Sequence, residues 1–205
     1  MKKKYIRKIL LGIISLLTTV SLHSETVKDV FLSMPESMLL SLNSSNRKDL
    51  VDLYDAHTQS VILNAFKDTV ILENLTKNYL LLKMNNYSLQ LIVLPMINDS
   101  KLYCIIHTIC NSVCDSRIEF YSISWKQLQA SLFITPVAEP YFIDRNSDNI
   151  TLDISFIQFT YDPETLLLQQ FYNTPECMSV ENRQKIQPFI RKKVKTYKWN
   201  GIRFE

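Results

Sequence analysis

Leu102-Tyr-Cys-Ile-Ile-His-Thr-Ile-Cys110, then Asn111-Ser-Val-Cys-Asp115, then Arg117-Ile-Glu-Phe-Tyr121, sets the architecture of the chain. Its two apolar runs are rich in Ile, Tyr and Phe, which suit a pleated and partly buried surface. The polar segment between them is too short for a parallel return, which needs a crossover of a dozen or more residues. The stretch therefore reads as an antiparallel hairpin. Three of the four cysteines and one of the three histidines fall inside it, so special chemistry is sought here first.

Similar runs precede it. Val70–Leu75, Tyr79–Met84 and Leu89–Met96 are short, apolar and separated by Thr76-Lys-Asn78, Asn85-Asn86 and Ile97-Asn-Asp-Ser100. Such brief connections force consecutive strands to run antiparallel, so this half reads as a meander. Upstream, Val27–Leu32, Glu36–Leu42 and Asn46–Ala56 read as helices, the last with Ser45 as its N-cap. His57 follows that helix, where an imidazolium is favoured by the helix dipole. Downstream, Ser131–Thr135 is expected to be a strand, and Pro136 and Pro140 then interrupt pairing. Leu152–Tyr161 and Leu166–Tyr172 are expected to form a hairpin across Asp162-Pro-Glu-Thr165. The imperfect alternation of Ile154, Phe156 and Ile157 predicts a first strand buried on both faces or bulged. A short helix is expected from Ser179 to about Ile190, tolerating Pro188 or kinked by it. Asn200-Gly201 is the preferred pair for a type I′ turn. The predicted class is α+β: mainly an antiparallel β-sheet meander, with an N-terminal helical cap and a short C-terminal helix.

The beginning of the chain has a different character. Met1-Lys-Lys-Lys-Tyr-Ile-Arg-Lys8 is basic, Ile9–Leu22 is apolar, and His23-Ser24-Glu25 is polar, which is the order of a secretory signal. At 14 residues containing Ser15, Thr18, Thr19 and Ser21, the apolar run is short of the roughly 20 residues a membrane span needs. The expected organisation is a signal peptide over residues 1–24 and a single α+β domain over 25–205, with no stable membrane span after cleavage. Removing Lys2, Lys3, Lys4, Arg7 and Lys8 from 23 basic residues leaves 18 against 20 acidic ones, a net charge of −2. The apparent basicity belongs to targeting and leaves no footprint for nucleic acid.

Glycine supplies the strongest exclusion. Gly12 lies in the leader and Gly201 is the sole glycine after it, where average usage is about 7%. Phosphate-cradling loops, dinucleotide fingerprints and glycine-flanked nucleophile elbows need glycine for close backbone approach.

Four cysteines in an exported chain suggest disulfides, but four allow three connectivities. Cys110–Cys114 closing the turn, a bridge using Cys177, and buried thiols all remain open on sequence grounds. Strand alternation places Cys104 and Cys110 on one face and His107 on the other. A zinc site is therefore not assembled locally. A thiol-redox site would use Cys110-Asn-Ser-Val-Cys114, yet it has three intervening residues and no helix N-terminus to lower a thiol pKa. The opposing enzymatic reading is a cell-envelope hydrolase or redox protein using Cys110, Cys114, His107 and Asp115. Arg117 pairing with Asp115 or Glu119 is the plainer account of those charges. Neither cofactor nor metal is expected. The candidate contact surfaces are the turn, with Asn111, Ser112, Cys114, Asp115 and Arg117, the polar loop 144–149, with Asp144 and Arg145, and any aromatic face left exposed.

Several segments resemble a family of exported proteins of unknown function from Bacteroidales bacteria. They are Glu73-Asn-Leu-Thr-Lys-Asn-Tyr-Leu-Leu-Leu82, Leu91-Ile-Val-Leu-Pro95, Cys110–Tyr121 with Trp125, and Trp199-Asn-Gly-Ile-Arg-Phe-Glu205. The helical opening Asp29-Val-Phe-Leu-Ser-Met-Pro35 belongs to the same likeness. The resemblance implies a periplasmic protein of a Gram-negative anaerobe, and it brings no catalytic residues. The expected function is a non-enzymatic binding or structural module whose partner is an envelope protein or a small ligand.

Overall fold

A computed structural model describes residues 25–144 and 154–205; the expected signal segment, Arg145 and most of the polar loop lie outside them. Seven strands form an antiparallel sheet in chain order: β1 (Val61–Leu63), β2 (Thr69–Leu75), β3 (Tyr79–Met84), β4 (Tyr87–Pro95), β5 (Lys101–Cys110), β6 (Cys114–Tyr121) and β7 (Gln127–Leu128). A second, three-stranded antiparallel sheet is ordered β10 (Val194–Lys198), β9 (Leu167–Tyr172), β8 (Ile157–Asp162). The fold is α+β, and its main sheet is the expected meander.

Both faces of that sheet are covered, which explains the unbroken apolar runs of β4 and β5. Helices α1 (Val27–Ser33) and α2 (Ser44–Asp55) lie over one face. There Val27, Phe31, Leu42 and Leu50 bury against Leu80, Leu82, Leu91 and Ile105. The second sheet covers the other face, packing Phe159, Leu168, Tyr197 and Phe204 onto Ile92, Cys104, Ile106 and Phe120. A smaller cluster of Phe142, Ile143, Tyr172 and Ile186 joins helix α3 (Val180–Ile186) to β9.

The helical cap is held by a residue whose role the sequence does not announce. Arg47 is 1% exposed, and its Nη1 donates to the carbonyl of Phe31 at 3.1 Å and to that of Met34. It thereby adds a donor to the Phe31 carbonyl, which also accepts from Met34 N at 3.4 Å, and supplies one to the carbonyl of the C-cap residue Met34. Burial lowers its pKa, with Glu36 opposing that shift.

Several expected elements take another form. Residues 36–42 give only the 3₁₀ turn Glu36–Met38, because Leu39 leaves helical geometry to bury itself in the cap. Helix α2 begins earlier than expected: Asn43, not Ser45, is the cap and accepts from Asn46 N at 2.9 Å. His57 occupies the left-handed position after this helix, at φ +53°. Thr58 N bonds to Leu53 O at 3.1 Å and His57 N to Tyr54 O at 3.0 Å, the pair of bonds of a Schellman cap.

Ser131–Thr135 is not a strand. Ala130–Leu132 forms a 3₁₀ turn that delivers Phe133 and Ile134 into the core. Strand β8 starts only at Ile157 and buries Phe159 and Tyr161 on one face, while Ile154 is 63% exposed. The expected burial on both faces is therefore absent from this strand. Pairing also fails to follow the type I′ prediction at Asn200-Gly201. Gly201 has φ +92°, but Asn200 is not among the positive-φ residues. The Asn200 side chain instead accepts from Ile202 N at 2.8 Å and Arg203 N at 2.9 Å, a local closure open to asparagine.

Candidate functional site

The β5–β6 hairpin extends further than its apolar residues alone predict. Pairing continues from Tyr103↔Tyr121 to Cys110↔Cys114, leaving Asn111, Ser112 and Val113 as the loop. Cys110 and Cys114 form a disulfide, with Cα atoms 4.0 Å apart. Of the connectivities open to the sequence, this is the one adopted. Cys104 is a buried free thiol and Cys177 an exposed one.

The turn is braced from two sides. The adjoining β3–β4 turn is Asn85-Asn86, with Asn85 at φ +47°. Asn86 Nδ2 donates to Asn111 Oδ1 at 2.9 Å, and Cys110 N donates to Asn86 O at 2.8 Å. From the second sheet, Asn173 Nδ2 donates to Cys114 O at 3.0 Å and Ile157 N to Asp115 Oδ1 at 2.9 Å. Asp115 is therefore a tie between sheets. Asn111, Ser112 and Arg117 remain exposed.

On the helix-covered face, four side chains that the sequence did not group form a continuous chain. Tyr87 Oη lies 2.7 Å from His107 Nδ1, His107 Nε2 is 3.2 Å from Glu119 Oε2, and Tyr121 Oη donates to the same carboxylate oxygen at 2.9 Å. Arg117 Nε meets the other oxygen, Oε1, at 3.1 Å. The register explains the grouping: Leu89 opposes His107, which opposes Arg117, while Tyr87 and Glu119 lie two residues along on the neighbouring strands. A neutral imidazole with its proton on Nε2 donates to Glu119 and accepts from Tyr87, satisfying every group. Burial lowers the His107 pKa, Glu119 opposing and Arg117 assisting. Burial also pushes the Tyr87 phenol above its ordinary value and raises Tyr121 to about 12, the latter helped by its bond to Glu119. Each phenol therefore stays a donor. Period-two signals do not show such a network, because its partners come from three strands.

Around this network the surface is indented. A groove of about 280 Å³ is bounded by Tyr87, His107, Ile109, Asp115 and Arg117. A second depression, about 430 Å³, runs past Asn85, Asn86, Tyr87 and Cys110. Tyr87 borders both. Ile109 is 55% exposed at the lip.

The expected contact residues do not all converge. Asn111, Ser112, Cys114, Asp115 and Arg117 share the turn end of the main sheet. Asp144 instead pairs with Arg191 and donates its N–H to Phe189 O at 2.9 Å, beside the smallest hydrophobic cluster. Arg145 lies outside the described residues.

The parts of the enzymatic reading are separated. Cys110 and Cys114 are joined to each other. Burial raises the Cys104 pKa, opposing thiolate formation. His107 is occupied by Tyr87 and Glu119. Ser116 Oγ lies 2.8 Å from Thr108 Oγ1. Among the described residues no three His, Cys, Asp or Glu side chains gather as a metal site, and no helix is long and apolar enough to cross a membrane.

No curated protein matches the chain. Among solved structures, a domain of an uncharacterized protein from Porphyromonas gingivalis W83 shares the fold, with a TM-score of 0.75 at 22% identity over 87% of this chain and 96% of that one. Residues 19–204 match the family described as "Protein of unknown function (DUF3256)", and the chain belongs to that family.

Proposed function

We propose that the protein is an exported, non-enzymatic binding module that presents the cysteine turn of β5–β6 to another protein of the periplasm. The carrying observation is the bracing of an exposed tip by the Cys110–Cys114 disulfide, the Asn86–Asn111 bond and the two ties from the second sheet. A tip held in advance loses little freedom on association. The exposed Ile109 and Arg117, either side of a shallow groove, combine the apolar and guanidinium contacts common at the centres of interfaces. The basic-apolar-polar opening and the disulfide both support an oxidising, exported setting.

Quantitative co-purification from the native envelope tests this, comparing the unaltered protein with Ile109→Asp and Arg117→Glu. One protein recovered in stoichiometric amount with the unaltered chain, and lost from both folded variants, is the expected result. An identical set of proteins with all three would sink the assignment of this surface.

A further inference from the structure

A separate cavity, lined by none of the residues of the cysteine turn, gathers positive charge without neutralising it. It measures about 220 Å³ and is bounded by Arg183, Lys192, Lys193 and Glu176, with Tyr172 and Pro175 as apolar walls. Three cations thus face one carboxylate. Among the described residues none of the three makes a salt bridge; the nearby basic pairs are Lys185–Glu181 and Arg191–Asp144.

Two of the three cations are positioned by side-chain contacts. The 3₁₀ turn Thr174–Cys177 turns its carbonyls toward α3, and Arg183 Nε donates to Pro175 O at 2.9 Å while Nη2 donates to Glu176 O at 2.5 Å. Those bonds fix the guanidinium and leave Nη1 for another acceptor. On the opposite wall, Lys192 lies 4.7 Å from the Tyr141 ring centroid. The backbone of this segment is pinned by Arg191 N and Lys192 N, which donate to Phe142 O at 2.8 and 3.3 Å, and by Tyr172 N, which donates to Lys193 O at 3.3 Å. The Tyr172 ring is stacked on Phe142, with centroids 5.2 Å apart and planes at 10°. The result is a partly enclosed, aromatic-walled recess with a charge excess of two.

We propose that this recess binds a phosphomonoester group, with Arg183 and Lys193 gripping its oxygens and Lys192 adding charge from the rim. A phosphomonoester carries about −1.5 to −2 at neutral pH, which matches that excess, whereas a carboxylate supplies half of it. The fork of an arginine and the point charges of lysines are common means of holding such a group. This site is independent of the protein-contact surface proposed above and stands or falls separately.

The test is calorimetric titration of the full chain with phenyl phosphate, using phenyl acetate as the uncharged control. In parallel, the chain is sedimented with phosphatidylcholine vesicles containing phosphatidic acid. Saturable binding of phenyl phosphate assigns the site to a soluble ligand, and binding to the vesicles alone assigns it to a lipid-borne phosphate. In either arm Lys193→Gln and Lys192→Gln, checked for an unchanged melting temperature, are each expected to weaken binding about tenfold. Binding in neither arm, or binding left intact in both variants, overturns the proposal.

Discussion

Replacing Cys110 and Cys114 together by serine removes a crosslink while leaving two half-buried positions with side chains of similar shape. The bond closes a ring of five residues, 110 to 114. In the chain-entropy treatment a ring of that size restricts the unfolded state by about 2 kcal/mol at 25 °C. For a domain of this length each kcal/mol corresponds to about 2–4 °C, so the double variant is expected to melt about 4–8 °C lower. Scanning calorimetry of the two proteins measures this directly, and reductant added to the unaltered protein should reproduce the shift. Thiol titration supplies an independent count. Without reductant, the unfolded chain should yield two thiols, from Cys104 and Cys177, and the native chain only the exposed Cys177. Four thiols in the unreduced, unfolded chain, or melting unaffected by both substitution and reductant, would refute the reasoning.

Two further outcomes follow from buried polar groups. Arg47→Ala leaves the Phe31 and Met34 carbonyls without their side-chain donor and opens a gap beneath the cap. It is expected to cost about 2–4 kcal/mol in urea unfolding. Because burial lowers the folded pKa of His107, the unfolded chain binds the extra proton more readily. That contribution to stability is present above the unfolded value near 6.5 and is lost as pH falls from there through the folded pKa. Chemical unfolding between pH 7.5 and 5 should show the decline, and His107→Gln should flatten it.

The meander was legible because two simple signals agreed along it. Apolar runs had strand length, and connections such as Asn85-Asn86 were too short for anything but a reversal. Alternation along β5 also separates His107 from Cys104: Cys104 enters the core beneath the second sheet, and His107 joins Tyr87 and Glu119 on the opposite face. Where a segment's shape was set by distant packing, the same reasoning failed. Phe133 and Ile134 look like strand residues, but the space to be filled in the core is reached from a 3₁₀ turn. Leu39 and Leu42 similarly draw the chain out of the expected helix. The turn residues of the candidate site were identifiable from their composition, and Asp144 lies apart from them, paired with Arg191. The Arg117–Glu119 pair was legible in the sequence, but Tyr87, His107 and Tyr121 join it only through strand register. Arg183 and Lys193 meet through a fold-back of the chain, which no periodicity encodes.

The main sheet tapers toward both margins. Its inner strands β4 and β5 run for nine and ten residues, but β1 has three and β7 has two. A foreign strand laid beside either margin would find only a few ladder groups to grip, too few to nucleate a continued sheet. The protein can thus carry a wide and strongly apolar sheet without offering its borders as a template for self-association. Edge-to-edge growth from the main sheet would have to begin on two or three residues.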